Sequence, residues 1–97
     1  MGVVKVKSNH VLSIVRNDGE VFVHADLAGL DLLIERLQHV RRKLAGGECE
    51  HDHLMTEAWG DGALTDTIGP ERDASTIVHH LKLYGWTEDW ATKHRLK

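Results

Sequence analysis

The chain has 97 residues, with 12 Lys and Arg against 15 Asp and Glu, and its formal net charge is −3. This length fits one domain, and a hydrophobic share of 41% suffices for one modest core. Such a chain lacks the positive electrostatic potential that attracts proteins to nucleic acid or anionic membrane surfaces, so neither partner is expected. A single cysteine excludes an internal disulfide and suits the cytoplasm. The N-terminus has no long apolar run, so no secretion signal is expected.

The first predicted unit is a pair of strands. Val3–Lys7 alternates only weakly between apolar and basic residues. Val11–Arg16 and Glu20–Ala25 are rich in β-forming residues, and Asn17–Gly19 between them reads NDG. Because Gly19 can adopt a positive φ, this segment predicts a hairpin turn joining two antiparallel strands.

A long amphipathic helix is predicted next, from Asp26 to Leu44. Asp26 can cap its N-terminus, and the Gly46–Gly47 pair marks its end. Gly29 is the one residue that disfavours this helix, since its helix propensity is about 1 kcal/mol less favourable than that of Ala. Seven apolar residues recur at helical spacing and need a sheet to cover: Leu27, Leu30, Leu33, Ile34, Leu37, Val40 and Leu44.

Two more strands follow, at 51–56 and 76–85, with a turn-rich connection over 57–75 between them. Residues 87–97 form a tail that is compatible with a short helix capped by Thr87. This order predicts a single α+β domain spanning 1–97. A small antiparallel sheet of about four to five strands would carry the long helix packed on one face.

Cys49, His51 and His53 lie two positions apart, so on a strand their side chains would point to one face. Thiolate and imidazole are ligands that zinc prefers, and His79 or His80 could complete the set. The spacing is not that of a zinc finger, and polar residues are usual on the solvent face of a strand. No metal or cofactor is therefore expected, and a small zinc-binding regulatory domain is the alternative function.

The same region offers groups for catalysis. Its histidines could act as general bases, with Asp52, Glu57 and Asp61 as acids or orienting groups. Cys49 and Ser75 are candidate nucleophiles. Because no G-x-S-x-G, H-E-x-x-H or P-loop motif accompanies them, no catalysis is expected. A small hydrolase is the weaker alternative.

The three tryptophans lie outside the regular apolar stripes, at Trp59, Trp86 and Trp90. Trp59 has two open roles: an anchor for a binding partner or a plug at the end of the core. Trp86 follows a strand end, where plugging is favoured. Stacking on nucleic acid requires a basic groove, and the acidic run over 48–52 argues against one.

Two motifs resemble a known family. "HDHLMTEAWGDGAL", followed after a variable loop by "VHHLKLYGW", resembles immunity protein family 32 of bacterial polymorphic toxin systems. The resemblance covers roughly Asp26 to Trp86, and Asp61 departs from it where a second glycine is usual. The matching positions are His53, Leu54, Met55, Thr56, Trp59, Gly60 and Leu64, then Val78, His79, His80, Leu81, Lys82, Leu83 and Tyr84.

The resemblance implies a non-catalytic cytoplasmic protein that binds a cognate toxin domain and occludes its active site or substrate groove. Many such toxins are nucleases with basic clefts, which acidic side chains can engage and steer towards. From charge and expected exposure, Trp59 would be the central anchor. The candidate acidic contacts are Glu48, Glu50, Asp52, Glu57, Asp61 and Asp66. The sequence leaves the oligomeric state open.

Overall fold

Five β-strands and two α-helices are present in the computed structural model, which describes residues 9–66 and 76–97. Their order confirms an α+β fold. The weakly alternating segment Val3–Lys7 lies outside the described residues. In chain order the elements are β1 (Leu12–Asn17), β2 (Glu20–Ala25), α1 (Leu27–Ala45), β3 (Glu50–Met55), β4 (Thr76–Ile77), β5 (His80–Gly85) and α2 (Glu88–Lys93).

The β1–β2 hairpin turns where the NDG segment predicts. Asn17 pairs with Glu20 in an antiparallel register, so only Asp18 and Gly19 form the loop. Both have positive φ, 49° and 91° respectively. This two-residue geometry matches the right-handed twist of the flanking strands, which explains the choice of Asp-Gly.

Asp26 ties the start of α1 to the start of β1. Its Oδ1 accepts hydrogen bonds from the backbone N–H of Gly29 at 2.8 Å and of Val11 at 2.9 Å. These two bonds stabilise the carboxylate and lower the pKa of Asp26. A Cβ at position 29 would lie 1.7 Å from the Val11 carbonyl oxygen. Gly29 therefore permits a close approach that outweighs its low helix propensity.

The strands form two sheets, where the sequence predicted one. The first sheet has the order β2-β1-β4, and the second is the antiparallel pair β3-β5. The single strand predicted over 76–85 breaks at Val78 and His79. Val78 N–H donates to the Ile14 carbonyl oxygen at 2.8 Å, whereas the His79 carbonyl accepts from Thr56 N–H at 2.9 Å. The chain switches sheets between these two residues.

One core cluster joins the two sheets. It contains Leu12 and Ile14 of β1, Leu54 of β3, and Ala63 and Leu64 of the connection after β3. The described part of the turn-rich connection predicted over 57–75 is not wholly exposed, because residues 63–65 are buried. A turn at Gly62, with φ of 81°, leads into this buried segment.

Helix α1 contacts strands of both sheets. Val40 and Gly29 are its buried residues, and Gly85 of β5 approaches Val40 and Leu44 so closely that a Cβ would clash with both side chains. Thr87 caps α2 as predicted, accepting a hydrogen bond from Trp90 N–H. In the described part of the chain, neither helix is long and apolar enough to span a membrane.

Candidate functional site

Side chains along β3 and β5 alternate between the two faces of this strand pair. Its register sets His51 against Tyr84 and His53 against Lys82. Leu54, one position on, belongs to the core, so the histidines point to the opposite, outer face. The prediction that His51 and His53 share a face is confirmed. Cys49 precedes the strand, and its Sγ lies 3.7 Å from Thr87 Oγ1.

Seven aromatic and imidazole rings form a continuous series of contacts along this outer face and onto α2. We call this series the ring row. Successive ring centroids lie 4.9, 5.0, 5.8, 5.8, 4.0 and 3.7 Å apart. In this order the members are His80, His53, His51, Tyr84, Trp86, Trp90 and His94. Tyr84 is 54% exposed, so the row presents ring surface to solvent.

Trp86 is a member of the ring row and does not plug the core. It is exposed and stacks between Tyr84 and Trp90. The plugging role predicted for it is therefore wrong. Trp90 stacks in turn on His94, one helical turn further along the chain. Stacked neighbours hold these rings in place without burying them.

Trp59 lies outside the ring row and is 61% exposed. It stacks on His79, with centroids 5.0 Å apart and ring planes 7° apart. Thr56 Oγ1 hydrogen-bonds His79 Nδ1 at 2.8 Å, which fixes the imidazole beneath the indole. This exposure excludes the core-plug role for Trp59 and leaves a supported ring available to a partner.

Two histidines of the ring row share a hydrogen bond. His53 Nδ1 and His80 Nε2 lie 2.8 Å apart, so one nitrogen must donate and the other accept. Desolvation, with smaller contributions from His53 and Lys82, lowers the pKa of His80. A second proton on the pair would break this bond and add repulsion.

A cleft of about 200 Å³ lies along the ring row near the start of β3. Its walls combine rings with one thiol and one carboxylate. The lining residues are Cys49, Glu50, His51, Tyr84, Gly85 and Trp86. The cleft therefore adds a concave element to the ring row.

Two of the acidic candidates on β3 face α1. His39 Nε2 lies 3.3 Å from Glu50 Oε2. A hydrogen bond from His51 N–H, with smaller contributions from His39 and Lys43, lowers the pKa of Glu50. Asp52 Oδ1 lies 3.1 Å from Arg36 Nη1. Asp52 thus engages α1, whereas Glu50 both engages α1 and contributes a carboxylate to the cleft beside the rings.

Arg36 of α1 also engages a third candidate. Its Nη2 lies 3.3 Å from Asp61 Oδ2, and its Nη1 donates to the His53 carbonyl oxygen at 3.3 Å. Glu48, Glu57 and Asp66 are exposed, and Glu48 lies 3.6 Å from Lys43. Glu50, Asp52 and Asp61 are thus less exposed than the other three acidic candidates and pair with His39 or Arg36 of α1.

The geometry bears on the metal-binding and hydrolase alternatives. Within 9–66 and 76–97, no three His, Cys, Asp or Glu side chains are arranged to hold a metal ion. His79 contacts Thr56 and Trp59, apart from the His53–His80 pair. The candidate nucleophile Cys49 forms no hydrogen bond with an imidazole in the described part of the chain, and Ser75 lies outside that part.

Sequence reasoning missed the ring row as a unit. Two-residue spacing of His51 and His53, and of Tyr84 and Trp86, is visible in the sequence. The register of β3 against β5 brings these two pairs of rings together, and it joins segments that are distant in sequence.

No family model matches the chain, and no curated protein or solved structure matches it either. The resemblance to immunity protein family 32 therefore depends on the quoted motif residues. Several of them, including His53, His80 and Tyr84, are members of the ring row.

Proposed function

We propose that this protein is a non-catalytic cytoplasmic immunity protein that binds a cognate toxin domain and neutralises it by occlusion. The contact surface is the ring row together with Trp59. The observation that carries the proposal is the exposure of supported rings at Trp59, Tyr84 and Trp86. Trp and Tyr are among the residues most enriched at binding hot spots.

Preorganisation of these rings favours tight binding. Binding normally costs about 0.5–1.5 kcal/mol for each rotamer-rich side chain that becomes ordered. Trp59 is already stacked on His79, and Trp86 on Tyr84 and Trp90. Less side-chain freedom is therefore lost when a partner covers them.

A protein partner fits this surface better than single-stranded nucleic acid. Bases bind by stacking on free ring faces beside a basic groove. Trp86 and Trp90 stack on each other with centroids 4.0 Å apart, and Trp90 stacks on His94 at 3.7 Å. Each of these rings already has a neighbouring ring, which leaves less free ring face for a base, whereas a protein surface can also contact ring edges.

Acidic residues contribute to steering in this proposal. Glu48, Glu57 and Asp66 are exposed, and exposed charges act mainly on the association rate. Glu50, Asp52 and Asp61 contribute less, because their side chains are less exposed. Charge reversal at Glu48 should slow association with a basic toxin domain, and more so at low salt.

The experiment is a growth test in a bacterial host. The C-terminal domain of the large open reading frame beside this gene is expressed with and without this protein. We expect toxicity that wild-type protein relieves and that a Trp59→Ala, Tyr84→Ala double variant does not relieve. Val21→Ala is the matched control, because Val21 is exposed on β2, away from the rings. Toxicity that the wild-type protein leaves untouched would contradict the proposal.

A further inference from the structure

The cleft near the start of β3 has flat walls. His51 and Tyr84 face each other across the strand pair on one side of it, and Cys49 and Trp86 line it where the two strands meet their flanking segments. The ring plane of Tyr84 lies within 27° of that of His51 and within 6° of that of Trp86. Nearly parallel rings around a space of about 200 Å³ suit a flat group.

A carboxylate lies beside these rings. Among the described residues β3 pairs only with β5, and its ladder uses alternate residues, so the N–H of His51 points to the other edge of β3. Glu50 Oε1 accepts a hydrogen bond from that N–H at 3.0 Å, and Glu50 Oε2 lies 3.3 Å from His39 Nε2. Two carboxylate oxygens can accept about four hydrogen bonds, so each oxygen can still accept from a ligand. The hydrogen bond from His51 lowers the pKa of Glu50, which keeps its charge at neutral pH.

Other acidic side chains surround the cleft. Cys49 Sγ lies 3.7 Å from Thr87 Oγ1, so the start of α2 adjoins the start of β3. Three exposed acidic residues belong to the two segments that meet here: Glu48, Glu88 and Asp89. Lys43 and Lys97 pair with two of them, yet neither these lysines nor any other Lys or Arg of the described chain lines the cleft. The charge around the cleft therefore favours a cation.

We propose that the cleft binds the guanidinium group of an arginine side chain carried by the toxin domain. The inference rests on the proposed function, because the toxin supplies the arginine. Guanidinium is flat, stacks on aromatic rings and can donate two hydrogen bonds to one carboxylate, which an ammonium group cannot match. Tyr84 and Trp86 are 54% and 39% exposed, so part of each ring is open to such contact, and Glu50 supplies the carboxylate.

Three small probes separate flatness from charge. N-acetyl-argininamide is flat and charged, N-acetyl-lysinamide is charged without being flat, and N-acetyl-citrullinamide is flat without charge. In an NMR titration, the arginine probe should shift the indole N–H signal of Trp86 and leave that of Trp59 in place, because Trp59 lies outside the ring row. We expect the other two probes to bind at least about 5-fold more weakly. No shift at the highest arginine concentration, or equal affinity for the lysine probe, would overturn the proposal.

Two variants place the arginine probe in the cleft. Glu50→Gln keeps the size of the side chain and removes its charge, so the dissociation constant should rise about 10-fold or more. Glu20→Gln is the matched control, an exposed glutamate at the start of β2, and should change nothing. Cys49→Met adds bulk at an exposed position and should block the probe even if Glu50→Gln fails to fold. Wild-type affinity in Cys49→Met and in folded Glu50→Gln would contradict the assignment.

The toxin domain gives the final test. Its affinity for Glu50→Gln should be at least about 10-fold lower than for wild-type protein, and a double-mutant cycle should couple Glu50 to one toxin arginine replaced by lysine. A toxin domain that binds both proteins equally would overturn the arginine contact and leave the immunity function standing. A toxin that wild-type protein fails to neutralise would instead contradict the immunity function and, with it, the toxin as the source of the arginine.

Discussion

The two faces of the β3–β5 pair differ in almost every physical respect, although their residues alternate along the same strands. The inner face contributes Leu54 to the core and Asp52 to an ion pair with Arg36. The outer face carries His51, Tyr84 and the other rings of the row, in contact with one another and with solvent. Stability therefore depends chiefly on the inner face, and the outer face is available for binding.

The largest expected effect is on the inner face, at Leu54. Leu54 is fully buried and lies in the cluster that joins both sheets. Leu54→Ala should lower the free energy of unfolding by about 2–5 kcal/mol, since it removes buried methyl groups and leaves a cavity. Urea denaturation measures this. Met55→Ala, one position along on the outer face, is the control and should cost about 1 kcal/mol or less. Equal losses would contradict the division of roles.

The next effect concerns Trp59, on the exposed side of the molecule. Trp59→Ala should weaken binding to the cognate toxin domain by at least about 2 kcal/mol, as expected of a central aromatic anchor. Its free energy of unfolding should change by about 1 kcal/mol or less, because the indole is exposed. Calorimetric titration and urea denaturation separate the two quantities. An early-melting variant that keeps full affinity would show that the indole stabilises the fold instead.

A smaller effect is expected at Arg36, which links α1 to β3. Arg36→Ala removes contacts with Asp52, Asp61 and the His53 carbonyl oxygen. The side chains are only partly buried, so we expect a loss of about 1–2 kcal/mol in the free energy of unfolding. Arg42→Ala is the matched control: an exposed arginine on the same helix, expected to change stability by about 0.5 kcal/mol or less.

The smallest effect is the pH dependence contributed by His80. Its folded-state pKa is lowered from the ordinary value of 6.5, so the unfolded state binds more protons between these two pKa values. The stability contribution is present above pH 6.5 and is lost as the pH falls towards the folded pKa. His80→Gln should therefore show a shallower loss of stability than wild type over this window. An NMR titration that gives His80 a pKa above 6.5 would reverse the sign.

Local signals in the sequence were sufficient for most elements. The Asp18–Gly19 turn, the Asp26 cap of α1 and the Thr87 cap of α2 occur where predicted. Each depends on hydrogen bonds and φ values within a few residues, which local sequence determines. That His51 and His53 share one face likewise follows from the two-residue period of a strand.

Only the tertiary structure decided which segments meet. Val78 and His79 have the same strand propensity as their neighbours, yet their backbone groups bond to different sheets. Burial of Leu64, internal pairing of Asp52 with Arg36, and the stacking of His51 on Tyr84 likewise join residues distant in sequence. Such contacts depend on strand register and on the shape of a shared core. Residue types and their local spacing determine neither the register nor the core shape. The ring row therefore forms only when the chain has folded.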